Sequence, residues 1–254
     1  MRRDYITAEE AIGRPGLRIA FTRGVPGPWG EAARAFFDIK GIDYTPVIQE
    51  GGAPNEALKT WTGQNSAPVA VLNDERPRTH WSELLMLAER LAPTPHLIPA
   101  DEDQRATMFG IAHELCGEDG FGWSSRLLVF EVIEQMQMGV PVDPMRRKFS
   151  SGATLAHAKS RIIAVMEMLA HRLEQQQKSG SRYLVGQALS AADIYWTTFS
   201  NMLAPIEHTA CPMPDYYRAW NLQCAAMLDA PVPDILVAHR DDILQTYFTL
   251  PMSF

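Results

Sequence analysis

Three prolines within seven residues, Pro93, Pro95 and Pro99, divide this chain. Proline has no N–H to give a helix or a sheet, and it restricts the residue before it, so no regular element runs through Pro93-Thr94-Pro95-His96-Leu97-Ile98-Pro99. The sequence has a different texture on each side. Before this segment short apolar runs alternate with helical stretches; after it nearly every segment carries apolar residues three and four apart. Residues 93–99 are therefore read as a linker between a mixed α/β domain, residues 17–92, and an all-helical domain, residues 100–254.

In the first domain Leu17-Arg18-Ile19-Ala20-Phe21 reads as a strand, followed by a turn rich in glycine and proline. Trp29, Ala32, Ala33, Phe36 and Phe37 then fall at helical spacing, and Gly41 stands where a helix stops. Tyr44 to Ile48 is a second strand, with Pro46 suggesting an edge, and a short helix follows around Asn55 to Trp61. Val69 to Leu72, a turn at Asn73-Asp74, and Arg78-Thr79-His80 read as a hairpin, after which Ser82 caps a helix through Leu91. The predicted order is βαβαββα. Residues 1–16 lack the apolar run of a secretory signal and are read as a surface extension, with Thr7 and Glu10 capping a short helix. Beyond the linker the spacing predicts helices over Asp101–Cys116, Trp123–Met138, Leu155–Gln177, Ala191–Leu203, Met213–Leu228 and Pro233–Phe248.

Composition narrows the function classes. A chain of 254 residues with 46% hydrophobic content fills a core in each of two modest domains. A net charge of −7 without a basic run argues against nucleic acid as the main partner. No stretch reaches the roughly 18 apolar residues of a membrane helix. Cys116, Cys211 and Cys224 are widely spaced and suggest neither a disulfide framework nor a zinc knot, which fits a reducing cytoplasm. His113-Glu114 has no second histidine at helical spacing, so no metal is expected.

Two local motifs give this order of elements a family likeness. One is Asn65-Ser66-Ala67-Pro68-Val69-Ala70-Val71-Leu72; the other is Tyr183-Leu184-Val185-Gly186-Gln187-Ala188-Leu189-Ser190-Ala191-Ala192-Asp193-Ile194. Together with the βαβαββα domain, the proline-rich linker and the helical domain, they resemble the glutathione-transferase superfamily over about residues 17 to 230. The resemblance implies an α+β two-domain fold, in which a thioredoxin-like N-terminal domain precedes an all-α C-terminal domain. It implies glutathione as the thiol substrate, without a metal, and a cis peptide at Ala67-Pro68 that turns the Ala67 main chain toward the cysteinyl backbone of glutathione. It further implies a structural capping box, Ser190 at the helix start and Asp193 returning a bond to it, and a homodimer.

The thiolate is the nucleophile, and a free thiol with a pKa near ~8.5 is mostly protonated at neutral pH, so such a site must favour a negative sulfur. Members of the superfamily present a Tyr, Ser or Cys to that sulfur near the end of the first strand or the start of the first helix. Matching Pro28 to the family's Ser-Pro or Cys-Pro puts Gly27 at that position, and the loop Thr22-Arg23-Gly24-Val25-Pro26-Gly27-Pro28-Trp29-Gly30 holds no Tyr. The remaining candidates are the Thr22 hydroxyl and the main-chain N–H groups near Trp29 and Gly30 at the positive end of the helix, with Arg23 the loop's cation. At the γ-glutamyl end the resemblance implies an acidic residue followed by Ser. Here Trp81 precedes Ser82, and Glu83 is the substitute one position on.

The second substrate is expected between the domains, against Met108, Phe109, Ala112 and His113 at helical spacing and against Phe121 and Trp123 beyond a glycine-rich turn. A core contact plus an interhelical turn reads the same residues equally well. The expected activity is addition or exchange of the glutathione thiol on a small hydrophobic electrophile. The competing readings are a peroxidase or isomerase that uses glutathione, and a non-catalytic binding module on the same scaffold, which Gly27 and Trp81 favour.

Overall fold

A computed structural model describes residues 4–137, 142–149 and 152–254, which form two compact units. The first runs to His96 and also takes His208–Met213 and Phe248–Phe254; the second takes Leu97–Glu207 and Pro214–Tyr247. Two short stretches beyond the linker thus join the first unit, which helical periodicity alone does not reveal.

The first unit runs α1 (Ala8–Ala11), β1 (Leu17–Thr22), α2 (Pro28–Ile39), β2 (Thr45–Gln49), α3 (Glu56–Thr62), β3 (Val69–Leu72) and α4 (Trp81–Leu91). Its sheet has the order β2-β1-β3, with β1 parallel to β2 and antiparallel to β3. As the central strand, β1 is buried from Leu17 to Phe21, which is why it reads as a continuous apolar run broken only by Arg18. Pro46 sits in β2 at no cost to the β1 ladder. Ile48 donates outward to the Ile6 carbonyl, and Pro46, two residues away and facing the same side, lacks an N–H only on that outer side.

The second arm of the expected hairpin is reduced to one bridge, Ala70 with Arg78. The chain cannot pair further because His80 is already the N-cap of α4. Ser82 is accordingly not the cap, as the sequence suggested, but lies in the helix's first turn.

The N-terminal extension is not superficial. Residues 1–3 lie outside the described residues, but Ile6 bridges Val47, Thr7 and Glu10 form a capping box, and Ala8 and Ala11 are buried with Ala20, Val47, Leu58 and Val69. Arg18 explains the attachment. Its buried guanidinium donates to the Ala11 carbonyl at 3.1 Å and to the Asn73 carbonyl, and lies 5.3 Å from the centre of the Trp61 ring. A surface reading missed this because the segment is short and its buried side chains are alanines. At the other end of α2, the Lys40 ammonium is fully buried, donating to the carbonyls of Ala92 and Pro95 at 2.7 and 2.6 Å and pairing with Glu89 at 2.7 Å.

The second unit comprises α5 (Glu102–Cys116), α6 (Phe121–Gln135), α7 (Asp143–Phe149), α8 (Leu155–Lys178), α9 (Ala191–Phe199), a 3₁₀ turn (Ser200–Met202), α10 (Asp215–Ala226) and α11 (Asp234–Tyr247). The helix expected to reach Met138 ends at Gln135, and Met138 lies outside the described residues. α7 is an addition that the sequence reading passed over. Every residue of α9 is buried, packed against α5 and α11. Trp196 is core, donating to the Leu236 carbonyl at 2.9 Å and meeting the Phe121 ring edge-on at 5.7 Å. The fully buried Asp193 carboxylate accepts from the N–H groups of Leu184 and Ser190 and from the Ser190 hydroxyl at 2.7 to 2.9 Å, and lies 3.2 Å from His239 Nε2. No helix of the described residues is long and apolar enough to cross a membrane.

Candidate functional site

The strand registers bring several of the candidate residues to one end of the sheet. Thr22 pairs with Gln49 across the parallel ladder. The antiparallel ladder ends at Ala20 with Val69, and the Ala67–Pro68 peptide directly precedes Val69. α2 starts from the loop that follows Thr22.

Side-chain amides tie this end together. Gln49, 5% exposed, donates from Nε2 to the carbonyls of Glu50 at 2.8 Å and Asn65 at 3.2 Å. Those two carbonyls fix the amide's orientation, so its oxygen faces Thr22, and the Thr22 hydroxyl donates to Gln49 Oε1 at 2.7 Å. The Thr22 proton is thereby directed at Gln49, and what the hydroxyl offers a ligand is lone pairs. Asn55, at φ +49°, accepts from the Glu50 N–H at 2.9 Å and donates to the Glu50, Ala53 and Asn65 carbonyls. Sequence reasoning missed both amides. The available signals were a polar residue closing an apolar strand and an asparagine just before a helix.

Gly27 is the N-cap of α2 and supplies no side-chain cap, and Pro28 takes the first helical position, where its missing N–H costs nothing. At φ −64° Gly27 has ordinary backbone geometry, and a Cβ built on it meets nothing within 4 Å. Arg23 forms a half-exposed pair with Glu50. Trp29 is half-buried in the first turn of α2. Below that turn Glu31 is buried, and burial pushes its carboxyl up to about 7 against the opposing pull of Arg34. Arg34 donates to the Tyr5 hydroxyl at 2.6 Å and lies 4.1 Å from the Phe21 ring centre.

Ala67–Pro68 is a cis peptide, as are Thr94–Pro95 and Leu250–Pro251. Glu83 is spoken for: it accepts from Arg76 at 2.8 Å and from the N–H groups of Thr79 and His80 at 3.1 and 3.2 Å. These bonds cap α4 and hold the carboxyl below its usual range, although its partial burial pulls the other way. The Ser82 hydroxyl lies 2.7 Å from His80 Nδ1, and the Trp81 ring stacks at a tilt on His80, centroids 5.1 Å apart.

The six residues expected to meet a second substrate separate into different surroundings within their own unit. Met108, Ala112 and Phe121 are buried, Phe109 is half-buried beneath Arg105, and His113 is exposed. Trp123 is half-buried against Phe149 of α7, ring centroids 5.2 Å apart. The glycine-rich turn before Phe121 is sterically demanded. A Cβ on Gly117 would come within 2.7 Å of the His113 carbonyl, and one on Gly120 within 2.7 Å of the Glu114 carbonyl. The three cysteines are buried and form no disulfide among the described residues, and burial pushes the Cys116 thiol well up and that of Cys224 to about 12. Among the described residues no group of His, Cys, Asp and Glu is placed to hold a metal.

Neither a family model nor a curated protein sequence matches the chain. Solved structures do. A glutathione S-transferase from Methylobacterium radiotolerans, in complex with glutathione sulfonate, superposes with a TM-score of 0.57 at 20% identity over 84% of this chain and 88% of its own. A second, from Methylobacillus flagellatus with glutathione bound, gives 0.55 at 16% identity over 89% and 98%. This chain has the glutathione S-transferase fold. A maleyl pyruvate isomerase, a bacterial glutathione S-transferase of the zeta class, superposes on it at 0.52 with 19% identity over 87% and 95%. In this glutathione S-transferase fold the thioredoxin-like part is the first unit and the helical part the second.

Proposed function

We propose that the chain binds glutathione at the sheet end where Thr22 pairs with Gln49 beside the Asn65–Pro68 loop, and adds or exchanges its thiol on a small hydrophobic electrophile. The Gln49 amide, bonded both to Thr22 at the end of β1 and to the Asn65 carbonyl two residues before Ala67, is the observation that carries the reading. Solved proteins of the same fold with glutathione or its sulfonate bound support the choice of ligand. The Ala67 main chain pairs with the cysteinyl backbone, and Ser82 with the first turn of α4 receives the γ-glutamyl carboxylate, with Arg23, Trp29, Trp81 and Glu83 around the peptide. The sulfur lies toward the start of α2.

The thiolate there is stabilised by the helix N-terminus and its first-turn N–H groups rather than by Thr22, whose proton goes to Gln49. The thiol proton leaves to solvent. The sulfur lone pair then forms the C–S bond, and the electrophile's displaced electron pair departs with its leaving group or moves to the adjacent atom. The protein works as a homodimer in the cytoplasm, which sedimentation of the purified protein and fractionation of cells test.

Glutathione titration followed by melting temperature tests the binding, since a ligand of the native state raises stability by mass action. The midpoint rises at millimolar glutathione; an unmoved midpoint overturns the proposal. A panel of electrophiles and hydroperoxides then reads the reaction. Gly27, which carries no side chain at the family's catalytic position, favours one second reading: a scaffold that binds glutathione without turning it over. Binding without turnover of any panel member selects it.

A further inference from the structure

Gln49 is buried and polar where the ends of β1 and β2 meet the Asn65–Pro68 loop, and no step of the proposed chemistry uses it. Its three bonds span elements far apart in sequence. Nε2 holds the Asn65 carbonyl, two residues before Ala67, together with the Glu50 carbonyl at the end of its own strand; Oε1 holds the hydroxyl that closes β1. One planar amide therefore sets the spacing between the start of the β1–α2 loop and the loop that carries the Ala67 main chain. Asn55 adds a second donor to the same Asn65 carbonyl at 3.2 Å, and its αL backbone lets its amide face back into the turn.

We infer that Gln49 is a positioning residue of this site: it holds the Asn65–Pro68 loop against the end of β1 so that the Ala67 main chain and the start of α2 address one ligand. The assignment rests on the proposed glutathione site. Gln49 does not touch the ligand; it acts through Thr22 and Asn65. An amide is required because the position needs an acceptor on one side and a two-hydrogen donor on the other. A carboxylate keeps the shape but turns both carbonyl contacts into oxygen facing oxygen. An apolar side chain of similar size takes the acceptor from the Thr22 hydroxyl and removes one of the two amide donors to the Glu50 and Asn65 carbonyls, leaving them Asn55.

The test is the glutathione dissociation constant, measured by calorimetry at 15 °C, well below unfolding, for the wild type, Gln49→Glu, Gln49→Leu and Thr22→Val. Phe37→Leu serves as a control that loosens the same unit at the far end of α2. Gln49→Leu and Gln49→Glu bind about tenfold more weakly or worse, Thr22→Val about threefold more weakly, and Phe37→Leu binds as the wild type does despite its lower melting temperature. A general loosening of the unit would weaken the control as much as the Gln49 variants, and that result overturns the assignment. So does a wild type that binds while the Gln49 variants bind equally well. If both Gln49 variants fail to fold, Thr22→Val decides, and unchanged affinity there rejects the assignment. A wild type that binds no glutathione overturns the proposed function, and this assignment with it.

Discussion

Glu31 Oε2 lies 3.3 Å from Arg34 Nε, with side-chain exposures of 4% and 12%. Burial raises the Glu31 carboxyl from 4.5 to about 7, more than the neighbouring guanidinium lowers it. The folded protein therefore binds a proton more tightly than the unfolded chain. Its contribution is fully present below pH 4.5 and is lost as the pH rises through 7. A shift of this size corresponds to about 3 kcal/mol. Urea unfolding at pH 5 and pH 8 should show the wild type losing stability over that interval, and Glu31→Gln losing about 3 kcal/mol less. The difference in slope is the readout, since the variant also leaves Arg34 with a weaker partner at every pH.

Lys40 binds two carbonyls and a carboxylate with no exposure of its own side chain. Lys40→Met keeps the volume and removes all three donors, taking the ammonium from Glu89, which is only 14% exposed, and from two carbonyls. A loss of about 3 kcal/mol in chemical denaturation is expected. Arg90, which pairs with Glu75 at the surface, gives the contrast: Arg90→Met should leave the unfolding midpoint unchanged within error.

Gly27 has room for a side chain and needs no special backbone conformation. Gly27→Ser puts a hydroxyl where the resembling family keeps one and also gives α2 a side-chain cap. Stability should change by only about 0.5 kcal/mol, because glycine is itself a tolerable cap. Conjugation of glutathione to an aryl halide should accelerate tenfold or more, as expected for one added donor to a developing thiolate. Equal rates in the two proteins would mean that the sulfur does not lie at the start of α2.

Two glycines near each other in sequence should respond oppositely to alanine. Gly120→Ala drives a methyl group against two backbone carbonyls, at 2.7 and 2.9 Å, and should lower stability by about 2 kcal/mol. Gly110 lies within α5 with open space around it, and Gly110→Ala should raise stability by about 0.5 to 1 kcal/mol. Thermal unfolding of the two variants side by side checks both signs.

The elements of the fold were legible where the pattern is long. β1, α2, α5 and α8 declare themselves by runs and spacing, and Pro93 to Pro99 interrupts them where no helix can continue. The N-terminal segment was not, because it is tied down by Arg18, seven residues after Ala11, and by that arginine's bond to Asn73, which no local pattern encodes. Ser82 looked like a cap since serine favours that role, yet His80 and Glu83 form the reciprocal pair, with the cap two residues earlier. In the candidate site, Thr22 and Ala67 could be named from the sequence, but not the partner that takes up the Thr22 proton. Gln49 meets Thr22 only through strand pairing, a long-range fact with no signature in either stretch.

Residues 248–254 pack with the first unit, and the Met252 N–H bonds to the Ala210 carbonyl. During synthesis the sheet is therefore made well before residues 248–254, which follow every helix of the second unit. A nascent chain stalled anywhere before residue 248 holds an incomplete first unit, and a gene fragment cut at the linker encodes a piece rather than a domain.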